Sequence, residues 1–256
     1  MLSYQHGYHA GNLADVHKHA ALSWVIAYMT AKDKPMSYIE THGGRGVYDL
    51  SGDQARKTGE ADAGIVRAEP WFDADHPYAD ALAACRAEYG PDAYPGSPWI
   101  ASYLLREDDV LHVAELHPAE HAALRDVVPG AHIYRQDGFE MAHSQTPPVP
   151  RRGLMLVDPS YEVKTDYTAI PPHFVKIARA WPVGVLMLWY PILPDGRHKT
   201  MVQSLAGAFP DALRHEVAFL PAREGHGMIG SGLFVVNPPW GLDDALAGLS
   251  ACFAAL

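Results

Sequence analysis

What most limits this chain is a rhythm that runs from residue 97 onward. Short apolar runs alternate with segments of helical spacing, and one junction near the end breaks the pattern. Strands are expected at 110–114, 131–135, 153–157, 184–190, 215–220 and 231–236, and helices at 98–106, 118–127, 138–144, 172–181 and 197–208. Pro172 would sit in the first turn of its helix, where a missing N–H is harmless. With a further strand at 36–40 this makes seven strands. Strand–helix alternation of this kind builds a parallel sheet covered by helices on both faces. The exception is PAREGHGMIG, between the last two strands. It has no helical period, and such a stretch favours an antiparallel return over a helical crossover.

Upstream, Asn12 is placed to cap a helix over 13–32, in which Val16, Ala20, Trp24, Ala27 and Tyr28 form one apolar stripe. Lys34-Pro35 ends it, since proline cannot continue a helix. After the strand at 36–40 comes the glycine-rich turn THGGRG, and then a polar, alanine-rich stretch over 51–96, punctuated by Pro70, Pro77, Pro91 and Pro95. One helix is expected within it, at 79–89. The stretch is taken as a helical insertion inside a single domain spanning 1–256. An α/β chain with parallel repeats closing in a β-hairpin has the layout of class I, Rossmann-like methyltransferases dependent on S-adenosylmethionine. The expected fold is therefore a seven-stranded, mostly parallel sheet with a helical insertion after the first strand.

Composition excludes several other classes. Two cysteines, Cys85 and Cys252, cannot make a disulfide scaffold or a cysteine-rich zinc site. The N-terminus has neither a basic nor an apolar leader region, and no apolar run approaches the roughly 20 residues that span a bilayer; a soluble, cytoplasmic protein without a membrane partner is expected. The formal net charge of −10 argues against a non-specific nucleic-acid coat, though not against a local basic patch. Arg56, Lys57, Arg67, Arg151, Arg152, Lys164 and Lys199 are candidates for that patch.

The chemistry-bearing residues gather after expected strands. Glycines in Glu40-Thr41-His42-Gly43-Gly44-Arg45-Gly46 allow close approach of a ligand to the backbone, but the third glycine of a dinucleotide fingerprint is missing. Glu115 ends the next strand, where a carboxylate can accept from ribose hydroxyls. Asp137-Gly138 follows the third, where an acid can accept from an exocyclic amine. Asp158-Pro159-Ser160-Tyr161 follows the fourth and is close to the D-P-P-Y loop of amino-group methyltransferases. A carboxylate and a backbone carbonyl that accept both N–H bonds of an adenine N6 favour a pyramidal nitrogen and free its lone pair. An aromatic ring fixes the base in line for transfer. Asn237-Pro238-Pro239-Trp240 matches the looser pattern better by letter, but it follows the last strand, far from the expected cofactor. His6, His9, His17, Lys18 and His19 have poor zinc spacing, so no metal is expected, and they are assigned to a polar lid over ligand or substrate.

Blocks in order along nearly the whole chain carry a resemblance: MLSYQHGYHAGNLADVHKH, DKPMSYIETHGGRGVYDL, YPGSPWIASYLLRE, ELHPAE, RRGLMLVDPSYEVKTDY, LWYP and SGLFVVNPPW. Together they resemble the RlmJ family of 23S ribosomal RNA adenine-N6 methyltransferases. The resemblance implies S-adenosylmethionine as cofactor, without metal, and 23S ribosomal RNA as partner before full ribosome assembly, with the enzyme a monomer. Carried over by position, it implies cofactor contacts at His19, His42, Ser97, Glu115, Asp137, Gly138 and Asp158. Catalysis would fall to Asp158, Pro159 and Tyr161, and RNA contact to Tyr4 and Tyr161. Two departures stand out: Ser160 replaces the loop's second proline, and Arg45 lies in the glycine turn. A DNA adenine methyltransferase and an inactive binding module are the alternatives.

Overall fold

The computed structural model describes residues 5–221 and 227–256. After a 3-10 turn at His6–Tyr8 comes α1 (Leu13–Thr30), followed by β1 (Ser37–Glu40). Asn12 caps α1, its side chain accepting the Asp15 backbone N–H. Next come β2 (Val47–Asp49), α2 (Asp53–Thr58), α3 (Pro77–Tyr89) and β3 (Ala93–Pro95). The chain continues through α4 (Ser97–Leu104), β4 (Val110–Ala114), α5 (Pro118–Val127), β5 (His132–Tyr134), α6 (Gly138–Gln145) and β6 (Gly153–Val157). It ends with α7 (Asp166–Ala180), β7 (Val185–Ile192), α8 (His198–Ala208), β8 (Leu213–Ala218), β9 (Gly230–Val236) and α9 (Leu242–Ala254).

The main sheet has seven strands in the order β5-β4-β1-β6-β7-β9-β8. β5, β4, β1, β6 and β7 run parallel, and β9 runs antiparallel to both β7 and β8, as the helix-free junction implied. Alternate residues of a strand point to opposite faces, and each face buries its own core. Tyr38, Leu154, Leu156 and Met187 join the core under α1, α3, α4 and α9. Ile39, Met155, Val157 and Leu188 join the core under α6, α7 and α8.

Four elements depart from expectation. α7 begins at Asp166 rather than at 172, so Pro171 and Pro172 lie inside it. Its first turn is built upstream of the prolines, where Thr168 and Ala169 donate N–H to the Thr165 carbonyl. α9 and the two-stranded β2–β3 ladder were not anticipated. That ladder pairs Val47 with Pro95, Tyr48 with Tyr94 and Asp49 with Ala93. Residues 5–12 are gripped by the segment that follows β2: Gln54 Nε2 donates to Gln5 Oε1 at 2.7 Å and the Ile65 N–H to the Gly11 carbonyl at 2.7 Å. A Cβ on Gly64 would sit 2.0 Å from the Gly11 carbonyl oxygen, so only glycine allows this approach.

Candidate active site

The C-terminal ends of β1, β4, β5 and β6 open into one pocket of about 460 Å³. That volume lies within the range of about 300–1,000 Å³ typical of small-molecule sites. His19, His42, Ser97, Glu115, Asp137, Gly138, Asp158, Pro159 and Tyr161 all line it, although they come from segments spread over more than half the chain. Tyr4 lies outside the described residues.

β1 supplies the centre. Thr41 N–H bonds the Leu156 carbonyl at 3.1 Å and Gly43 N–H the Ala114 carbonyl at 2.9 Å, so the glycine turn is wedged between β6 and β4. Glu40 is fully buried, with Ser97 Oγ donating to Oε1 at 2.5 Å and the Tyr38 hydroxyl to Oε2 at 2.8 Å. Burial pushes its carboxyl up to about 8 even though both hydrogen bonds favour the charged form. Glu115 braces the turn: Oε2 accepts the Gly44 N–H at 2.8 Å and Oε1 the His117 N–H at 2.6 Å. Burial raises its pKa as well. An ionised carboxylate has about four lone-pair sites, so each oxygen keeps one for a ligand hydroxyl.

Asp137 caps α6, its Oδ1 accepting N–H from Phe139 at 2.9 Å and Glu140 at 3.0 Å. Oδ2 has no hydrogen bond among the described residues. Gly138 is a steric requirement, since a Cβ there would lie 2.0 Å from the Thr41 carbonyl oxygen. The His42 ring packs edge-on against Phe139 at 5.9 Å, and burial lowers its pKa. Arg45 turns onto Glu120, with Nε and one terminal nitrogen bonding its two oxygens at 2.8 and 2.7 Å.

Asp158 follows the fully buried β6. Lys18 Nζ holds its Oδ2 at 2.5 Å and reaches Asp15 Oδ1 at 3.0 Å. Burial opposes the charge on Lys18, but the two carboxylates outweigh it and hold the ammonium pKa above its usual value. Oδ1 of Asp158 has no hydrogen bond among the described residues. Tyr161 adopts a left-handed φ of 56°, its hydroxyl donating to the Trp189 carbonyl at 2.7 Å. The sequence did not single out Lys18 alone, Glu40 or Trp189, all of which matter here. The i, i+3 spacing of Asp15 and Lys18 was the one available sign.

The expected histidine lid divides. His6 and His9 line the pocket, with His6 Nε2 2.8 Å from Asp15 Oδ2. His19 lines it too: Nδ1 bonds the Tyr94 hydroxyl at 2.9 Å, while Nε2 is buried without a hydrogen-bond partner among the described residues. His17 is not part of a lid. It is fully buried and bonds Ser231 and His215, because two residues along a helix is over half a turn and α1 is covered on both sides. NPPW lies at the other end of the sheet. β9 is antiparallel, so Val236 pairs with Leu186 near the start of β7, and Asn237 Nδ2 donates to the Pro182 and Gly184 carbonyls at 3.0 and 2.8 Å. The basic candidates also separate. Arg151 and Arg152 precede β6 at the sheet end opposite the pocket, and Arg152 clamps the Lys34 and Met29 carbonyls at the end of α1. Arg67 bonds the Leu256 carbonyl.

Comparison with known proteins decides the family. Residues 33–254 match the family described as "Ribosomal RNA large subunit methyltransferase D, RlmJ". The chain belongs to the RlmJ family. It is 40% identical to Ribosomal RNA large subunit methyltransferase J of Escherichia coli (strain K12), covering 96% of this chain and 90% of that one. To the protein of the same name from Haemophilus influenzae it is 36% identical, covering 95% and 89%. A crystal structure of a protein from Legionella pneumophila superposes with a TM-score of 0.84 at 32% identity, covering 96% of this chain and 94% of that one. The RlmJ relationship matches the strand order: parallel strands closed by an antiparallel hairpin are the class I methyltransferase sheet. Among the described residues no helix is long and apolar enough to cross a membrane, and no group of three or more His, Cys, Asp or Glu is placed to hold a metal ion.

Proposed function

We propose that this pocket binds S-adenosylmethionine across the ends of β1, β4 and β5, and that the adjoining DPSY loop presents N6 of a 23S rRNA adenine for methylation. As a member of its family the chain is an S-adenosylmethionine-dependent methyltransferase of large-subunit ribosomal RNA. The observation that carries the finer assignment is Asp158 Oδ1, an acceptor without a hydrogen bond among the described residues, in the same pocket as Glu115 and Asp137.

The residues present fit the cofactor. Glu115 has lone pairs for ribose hydroxyls, Asp137 Oδ2 is open to an exocyclic amine, and buried His19 Nε2, 3.9 Å from Asp15 Oδ1, makes no hydrogen bond among the described residues. Gly138 and His42 shape the adenine side of the pocket, and Ser97 fixes Glu40 beneath it. When bound, S-adenosylmethionine supplies a methyl group activated by its sulfonium charge. The chain's part is orientation. Asp158 Oδ1 and the Pro159 carbonyl accept the two N6 hydrogens, which directs the nitrogen lone pair away from the loop. Lys18 keeps Oδ2 occupied, so the carboxylate offers one oxygen in one direction. Tyr161, pinned by the Trp189 carbonyl, bounds the base, which must leave its stack to reach the loop. Ser160 leaves the three groups that act on N6 in place. Tyr4 is assigned an RNA contact by the family resemblance alone.

The proposal extends to a cytoplasmic monomer that acts before the ribosome is fully assembled, when the target adenine is still accessible. It also takes 51–96 as an insertion within one methyltransferase domain, supported by the β2–β3 ladder that brings its two ends together. One assay tests the function: labelled S-adenosylmethionine with protein-free 23S RNA, with genomic DNA and without acceptor, followed by digestion and mapping of the modified base. Label in N6-methyladenosine from the RNA alone is the expected result. Label in DNA, or in another base, refutes the assignment.

A further inference from the structure

The methyl-transfer geometry leaves one polar system unused, buried at His17 and Ser231, and it ends on the pocket wall. Trp189 lines the pocket, with its ring edge-on to Tyr161 at 5.9 Å and Lys18 Nζ 5.7 Å from its centroid. Its indole Nε1–H donates to Ser231 Oγ at 2.9 Å. Ser231 Oγ meets His17 Nδ1 at 2.8 Å, His17 Nε2 meets His215 Nδ1 at 2.8 Å, and His215 Nε2 meets Ser250 Oγ at 2.7 Å. The links pass from β7 through β9, α1 and β8 to α9.

The protons in this series have one consistent order. An indole nitrogen only donates, so Ser231 Oγ accepts from Trp189. Were His17 Nδ1 also a donor, the Ser231 hydroxyl proton would point at nothing in a site with no solvent exposure. Ser231 therefore donates to His17 Nδ1, and the His17 proton sits on Nε2. It points at His215 Nδ1, whose own proton sits on Nε2 and points at Ser250. Burial and mutual repulsion keep His17 neutral, and burial does the same for His215. The Phe253 ring lies edge-on to His17 at 5.8 Å, so that side offers no competing polar partner.

We propose that His17 is a positioning residue for the methyl acceptor: through Ser231 it fixes the Trp189 indole, and with it the wall against which the target base is oriented. This rests on the methyl-transfer reading of the pocket. α1 then sets two things at once, since Lys18 orients the Asp158 carboxylate and its neighbour His17 orients the indole. The role differs from packing because only the hydrogen-bonding order matters, and a side chain with the same order restores it. Glutamine has an amide oxygen to accept from Ser231 and an amide NH₂ to donate to His215; leucine has neither.

The test uses the whole protein in three variants: Ser231→Ala, His17→Leu and His17→Gln. Each is assayed for steady-state methylation of 23S RNA, for affinity to S-adenosylhomocysteine by calorimetry and for the Trp189 indole N–H resonance, identified by its loss in Trp189→Phe. Ser231→Ala and His17→Leu should lower kcat on RNA at least tenfold, leave S-adenosylhomocysteine affinity within twofold and shift the indole resonance. His17→Gln should return kcat to within threefold of wild type and the resonance toward its original position. Should His17→Leu fail to fold, Ser231→Ala, which removes a single buried oxygen, carries the same comparison. Wild-type kcat in Ser231→Ala, or a glutamine variant no better than leucine in a folded protein, overturns the proposal. Wild-type protein inactive on RNA would instead refute the methyl-transfer reading itself.

Discussion

Replacing Asp158 by alanine tests the centre of the site, and the structure separates its effect on chemistry from its effect on folding. The substitution removes Oδ1, the acceptor assigned to the N6 hydrogen. Loss of one such oriented partner at a reacting atom costs on the order of 10²-fold or more in turnover, about 2.7 kcal/mol of transition-state stabilisation. The substitution also breaks the contact of Asp158 with Lys18, whose side chain is only 5% exposed. Leaving a buried charge unpaired costs about 3–5 kcal/mol. Lys18 is not left unpaired, however, because Asp15 Oδ1 remains 3.0 Å away, so the stability loss should fall below that range. Asp158→Asn keeps one acceptor oxygen but puts an NH₂ donor at the other position, facing either the Lys18 ammonium or N6, so it should fall well short of wild type while retaining more activity than alanine. The assay is labelled methyl transfer to 23S RNA, with urea denaturation run in parallel. An alanine variant with wild-type turnover refutes Asp158 as the acceptor. A variant that loses both activity and the cooperative unfolding transition refutes the argument that Asp15 suffices for Lys18.

Three further outcomes follow from the same geometry. Glu115→Gln should weaken S-adenosylhomocysteine binding by about 1.5–3 kcal/mol, because the amide NH₂ confronts one of the two backbone N–H groups of Gly44 and His117; unchanged affinity by calorimetry would make Glu115 a brace for the turn and nothing more. Gly138→Ala should cost about 1–3 kcal/mol, read as a lower Tm, since the new Cβ meets the Thr41 backbone at 2.0 Å rather than a side chain able to move; an unaltered Tm would contradict that clash. Glu40, raised by burial from an ordinary 4.5 to about 8, contributes stability that is fully present below pH 4.5 and is lost as the pH rises through 8. Glu40→Gln should therefore gain stability relative to wild type between pH 5 and pH 9 in urea titrations, and a difference independent of pH would show that Glu40 titrates normally.

Much of the sheet was legible because strand residues alternate between two buried faces and the helices between them keep a 3.6-residue period. The start of α7 was not, because Pro171 and Pro172 look like a first turn when read locally, while the helix is capped at Thr165, nearly two turns before the expected start at 172. β2 and β3 have three residues each, too few for any period to show. α9 carried its signal in Leu242, Leu246, Leu249 and Phe253, spaced for one helical face and buried together. At the site, Glu115, Asp137 and Asp158 could be found because each ends or follows a parallel strand. The Lys18–Asp158 contact joins residues 140 positions apart and has no local signature. The raised pKa of Glu40 is a property of burial, which strand pattern alone does not quantify. Read locally, His17 and His19 fall together in a lid, although two residues along a helix point to different sides; only the packing of α9 and β8 against α1 shows that His17 faces no solvent.

The small β2–β3 ladder has a consequence for how this protein could be taken apart. Because Asp49 pairs with Ala93, the chain leaves the main sheet and returns to it at almost the same point. The seven-stranded core therefore meets a closed two-residue doorway, whatever the length of chain beyond it, and closing even a long loop there adds little entropy cost. A deletion that joins residue 49 to residue 93 through a tight hairpin turn would spare every main-sheet strand, but it would take α3, with the buried Tyr78, Leu82 and Cys85, out of the core over one face. It would also remove Gln54, Thr58, Glu60 and Ile65, the groups that hold residues 5–12 against the pocket. The detachable part and the part that fastens the start of the chain are thus the same piece. A shortened protein of this kind would lose its hold on the N-terminal segment and part of the core under α3 together.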